Sequence, residues 1–166
     1  RRYLDRGVRI LRVIPAFHPS VLDEMNLKGL AEFLAGEEIV LLFQWMIEDY
    51  RSFHGLVRPA FPSRQQVLGF LSQMPCDVVL GGITYIEAEH ILANTGGKVF
   101  VEISYIEKTR AMEDLVTPEN SNRLLFGTMA PLLVPEAATM KVQMSRLDAK
   151  TKIRIFSQNA LQLIGG

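Results

Sequence analysis

An α/β fold built from parallel βα units is what this sequence predicts, and three observations predict it. Five short runs rich in β-branched and aliphatic residues recur along the chain, each with the length of a buried strand. Helical patterns with their own start and stop signals lie between them. The 166 residues, 48% of them apolar, are enough for a single domain (1–166) around one sizeable core. Strand and helix in alternation give a parallel sheet with right-handed crossovers, covered by helices.

The strand runs are "VRILRVIPAF" (8–17), "EEIVLLFQWM" (37–46), "CDVVLGG" (76–82), "KVFVEISYI" (98–106) and "RLLFGTMA" (123–130). In the first crossover Leu27, Leu30, Ala31 and Leu34 recur at helical spacing, with Gly36 placed to end the helix. In the second, Ser63 and Gln66 have capping-box spacing at the start of "RQQVLGFLSQM", and Pro75 stops the helix. "YIEAEHILANTGG" forms a third helix with a glycine-rich end, and "TRAMEDLV" a short fourth with Thr109 as its cap. Pro135 opens "PEAATMKVQM", and Asp148 caps "LDAKTKIRIFSQNALQLI". Two architectures accommodate this order: a five-stranded doubly wound sheet, or five consecutive units of an eight-unit TIM-like barrel. Length alone favours the sheet, because a barrel usually needs about 250 residues.

Eighteen basic and eighteen acidic residues cancel without gathering into runs, so neither nucleic acid nor an anionic membrane is an expected partner. No apolar stretch approaches the roughly 20 residues of a membrane helix. The single Cys76 excludes an internal disulfide framework and fits a reducing, cytoplasmic setting. The opening "RRYLDRG" has no signal-peptide core and no initiator Met, and reads as the interior of a longer chain. "LGGI" follows a strand but lacks the spacing of a dinucleotide-binding loop.

From about residue 7 onward the chain resembles the C-terminal five-eighths of the amidohydrolase-related, metal-dependent hydrolases with a TIM-barrel fold. "GVRILRVIPAFH" is similar to the fourth strand and its loop, "IVLLFQWMIED" to the fifth, "DVVLGG" to the sixth and "VFVEIS" to the seventh. "RLLFGTMAPLLVPEAA" is similar to the eighth strand, and "KTKIRIFSQNALQLIGG" to the closing helix; these two are the most specific. The resemblance implies a barrel whose first three units, with a His-x-His pair, would precede Arg1. It also implies a divalent metal such as zinc, which lowers the pKa of a bound water toward about 7. It places the fifth-strand histidine at Gln44, the sixth-strand histidine at Gly82 (Gly81 if the alignment slips by one) and the eighth-strand aspartate at Met129. An amide, a glycine and a thioether do not replace those ligands. A barrel-like protein without the family's metal chemistry is therefore expected, binding a small molecule or serving structurally. A metal-dependent hydrolase completed by upstream residues is the alternative.

The candidate cleft residues are His18, Gln44, Glu48, Glu102 and Met129. His18 follows the first strand directly, and Gln44 has inward parity with Val40 and Leu42. Glu48 leaves the second strand beside Asp49. Glu102 is a lone carboxylate in a buried strand, sharing a face with Ser104, and a salt bridge to Arg9 or Arg12 is its expected structural partner. His54 and His90 read as exposed, Trp45 and Tyr105 as core, and His18, His54 and His90 have no metal-ligand spacing. The resemblance gives Asn159 the place of the closing-helix asparagine, bonding backbone near the last strand. Five barrel units leave two unpaired sheet edges, so a second copy or preceding chain is expected to cover them.

Overall fold

The computed structural model describes residues 4–49, 53, 54, 56 and 59–165. Strands β1 (Ile10–Val13), β2 (Val40–Gln44), β3 (Asp77–Gly81), β4 (Val99–Glu102) and β5 (Leu124–Leu125) form one parallel sheet in the order β1-β2-β3-β4-β5. That order decides between the two architectures. A doubly wound sheet reverses its strand order at a switch point, whereas an unreversed sequence of right-handed crossovers puts every helix on one face. The doubly wound alternative is thus overturned, and the chain is an arc of TIM-like barrel.

The helices are α1 (Glu24–Leu34), α2 (Arg64–Gln73), α3 (Tyr85–Asn94), α4 (Ala111–Leu115), α5 (Pro135–Gln143), α6 (Ala149–Ile153) and α7 (Asn159–Ile164). A π-helical segment, Arg154–Gln158, joins α6 to α7. The main core lies between the sheet's outer face and the helices. Leu41 and Phe43 of β2, Val78 and Leu80 of β3, Val101 of β4 and Leu124 of β5 pack there against Leu34, Val67, Phe70, Ile91, Met112 and Val142. Each such side chain, fully removed from water, contributes about 1.5–3 kcal/mol. The Phe43 and Phe70 rings meet at 4.8 Å between centroids.

The alternate positions point the other way, into the barrel interior. Register stacks Ile10, Val40 and Asp77 at one level, and Arg12, Leu42, Val79 and Phe100 at the next. Gln44 pairs with Gly81, and Glu102 with Leu125, nearest the C-terminal mouth. The C-terminal segment folds back onto this inner face. Ala160 and Leu163 of α7, with Leu42 and Phe100, pack against the cluster of Val40, Val79 and Leu125, closing the floor. Asn159, 2% exposed, donates to the carbonyls of Ser121 (2.9 Å) and Leu124 (2.8 Å), the packing role expected of it.

Local signals explain the helix ends. Ser63 and Gln66 form a complete capping box, Thr84 and Asp148 accept from the backbone N–H groups of Glu87 and Thr151, and Pro135 is the first residue of α5. Gly36 follows α1 at φ +82°. Thr109 is not the cap of α4: Arg110 holds that place, in the left-handed region at φ 60° and with no capping side-chain bond. Among the described residues no helix is long and apolar enough to cross a membrane.

Candidate functional site

Five side chains join across the barrel mouth. Arg12, on β1, donates a guanidinium N–H to Oε1 of Gln44 at 2.7 Å. The amide Nε2 of Gln44 donates to the Met46 carbonyl at 2.6 Å and faces Sδ of Met129 at 3.9 Å. From the other side the Ser104 hydroxyl approaches the same sulfur at 3.8 Å and donates to Oε2 of Glu102 at 2.7 Å. The Ser104 backbone N–H donates to Oε1 of Glu102, also at 2.7 Å. The sheet register puts Arg12, Gln44 and Glu102 on one face, and the left-handed backbone of Met129 (φ 52°), just past β5, turns that residue in among them.

Two glycines are required by this packing. A Cβ on Gly82, which has φ +64°, would lie 1.8 Å from the Met46 carbonyl oxygen and 2.6 Å from Nε2 of Gln44. A Cβ on Gly127 would lie 2.0 Å from Oε1 of Glu102. The Met46 carbonyl and the Gln44 amide therefore occupy the space beside Gly82, just past β3, and the Glu102 carboxyl the space beside Gly127, past the end of β5.

Burial raises the Glu102 carboxyl above its ordinary pKa, and the two Ser104 hydrogen bonds and the Lys141 ammonium oppose that shift. Lys141 reaches from α5 to the carbonyls of Ile103 (2.8 Å) and Ser104 (3.1 Å). Its own pKa is lowered by burial, against the pull of Glu102 and Glu107. The salt bridge expected between Glu102 and Arg9 or Arg12 is not there. Arg9 pairs with Glu38, Arg12 bonds Gln44, and Ser104 satisfies Glu102 instead.

Of the five candidates, Gln44, Glu102 and Met129 come together, while His18 and Glu48 do not join the chain of contacts. His18 is exposed at the rim, ahead of the 3-10 turn Pro19–Leu22, and makes no capping side-chain bond. Glu48 is exposed in the loop after β2. His54 accepts from the Leu56 backbone, and half-buried His90 lies beside Asn94 at 3.5 Å. Trp45 is core, as expected. Residues 51, 52, 55, 57 and 58 of the loop 51–62 lie outside the described residues. Arg12, Ser104, Gly127 and Lys141 complete the mouth. Inward parity was the available signal for Arg12 and Ser104, whereas nothing in the sequence places Lys141 behind them.

The described residues of the mouth do not by themselves fit the metal that the resemblance implies. Its donors are an amide already bonded at both ends, a thioether, a hydroxyl and one carboxyl, without an imidazole. Among the described residues no group of three or more His, Cys, Asp or Glu is placed to hold an ion. A cleft of about 370 Å³ opens at the opposite end of the strands, lined in part by Arg9, Glu38, Cys76, Asp77, Lys98 and Leu163. There Arg9 pairs with Glu38, and Lys98 bonds the Pro75 carbonyl. In TIM barrels active sites are built at the other end, the C-terminal face of the strands.

Searches found no matching family model and no matching curated protein. Solved structures do match. An uncharacterized TIM-barrel protein from Bordetella bronchiseptica superposes with a TM-score of 0.71 at 18% identity, over 99% of this chain and 59% of that one. A "putative amidohydrolase" from Staphylococcus aureus superposes with a TM-score of 0.65 at 13% identity, over 99% of this chain and 67% of that one. At such identities the likeness is one of fold, and the chain spans about six-tenths to two-thirds of these neighbours' length.

Proposed function

We propose that this chain is part of an amidohydrolase-like TIM barrel whose mouth binds a small polar molecule without metal-dependent hydrolysis. One observation carries the reading. The Gln44 amide, fixed at one end by Arg12 and at the other by the Met46 carbonyl, fills the place that the resemblance gives to a metal-binding imidazole. A Cβ on Gly82 would meet the Met46 carbonyl first and then this amide. A hydrolytic zinc needs three protein ligands, and three of the family's positions here offer none that is free and suitable. What remains is a preorganised polar surface above an apolar floor.

The coverage of the neighbours supports the barrel part of the reading, since five of eight units lie between 59% and 67% of a whole. The name of the Staphylococcus aureus structure supports the family part. Buried Cys76, its thiol pushed up by desolvation, fits a protein kept in a reducing cytoplasm. Metal analysis of protein purified without chelators tests the proposal. We expect less than a tenth of an equivalent of zinc or manganese per chain, and near-stoichiometric metal would overturn it.

A further inference from the structure

Opposite charges stand at the two ends of the mouth and do not meet. Arg12 gives one N–H to Gln44 and has no carboxylate partner among the described residues. Glu102 accepts only from Ser104 among the described residues, and the Lys141 ammonium is directed to the carbonyls of Ile103 and Ser104 behind it. Between the two charges lie the Gln44 amide, the Met129 thioether and the Ser104 hydroxyl, in contact at 3.9 and 3.8 Å.

Each of these groups is prepared for a partner of definite chemistry. A guanidinium held at one nitrogen keeps other N–H groups for a carboxylate, which its planar fork matches. A carboxyl that burial disfavours as an anion is returned to the charged form by a nearby ammonium. A dicarboxylate would set a second anion against Glu102, and a simple amine would meet the charge of Arg12. We propose that the mouth binds a small zwitterion, its carboxylate on Arg12, its ammonium on Glu102 and its aliphatic link over Met129. This rests on the metal-free reading above.

Calorimetric titration of the chain with glycine, 4-aminobutanoate and 6-aminohexanoate, alongside butanoate and butylamine, tests it. At least one amino acid of the series is expected to bind at least tenfold more tightly than both single-charge controls. Arg12→Gln should reduce that affinity to the level of butylamine, and Glu102→Gln to the level of butanoate. Arg12→Lys, which keeps the charge and loses the fork, should give an intermediate loss and serves if Arg12→Gln misfolds by circular dichroism. Equal binding of the controls, no binding by any amino acid of the series, or variants that keep the preference would overturn the proposal. Metal content measured on the same sample separates the two claims. Stoichiometric metal defeats the functional reading, whereas metal-free protein without a preference for zwitterions defeats only this inference.

Discussion

A methyl group on Gly82 would collide with the Met46 carbonyl in a backbone already in the left-handed region. Gly82→Ala is therefore expected to cost about 3 kcal/mol, read as a lower urea midpoint at unchanged slope. Gly96→Ala, with open space around its Cβ, is the control and should be neutral or slightly stabilising. Glu102 gives a prediction with a sign. Its folded-state pKa is raised by burial, so its contribution is fully present below the unfolded value of about 4.3 and is lost as pH rises through the folded-state value. Gly127, packed against it from beyond the end of β5, is uncharged, and Lys141 only moderates the shift. Glu102→Gln should accordingly melt higher than the parent at pH 8 and level with it at pH 4 in paired thermal scans. Gln44, Glu102 and Ser104 were legible because strand parity marks inward positions. The role of Arg12 was not, because an amide rather than a carboxylate claims its N–H, and sequence spacing does not tell one acceptor from another.

The helix starts were the most legible elements, since a capping residue acts within three positions of itself. Ser63→Ala removes the box that begins α2 and should cost about 1 kcal/mol in denaturant titration. Helix ends and irregularities were harder to read. Arg110, not Thr109, begins α4 because the chain enters it through a left-handed residue, which composition does not announce. The last strand was expected over 123–130 and is two residues long, because the chain leaves the ladder before Gly127 and turns at Met129. The closing helix was read as continuous, yet a π-helical segment interrupts it. That wider turn has no compositional signature. Just beyond it, Asn159→Leu would leave two carbonyls without their buried donor, at an expected cost of about 1–3 kcal/mol in the same titration.

At the scale of the whole molecule, the strand order carries the architecture, and no single residue encodes it. Composition and periodicity left sheet and barrel both open, and length favoured the wrong one. Only the pairing of every strand with its sequence neighbour selects the barrel arc. The outer edge of β1 has no strand beside it among the described residues, and Ile10 on the inner face is 48% exposed. The chain by itself is thus expected to self-associate with rising concentration in sedimentation runs, and Ile10→Lys to weaken that association. The far edge is treated differently. The Phe126 N–H, just past β5, bonds the Ile155 carbonyl at 2.9 Å, and the Phe126 and Phe156 rings meet at a tilt with centroids 5.0 Å apart. During synthesis that edge stays open until the π-helical segment has left the ribosome, so its protection arrives last, and nascent chains stalled before residue 155 would be the form most prone to clump.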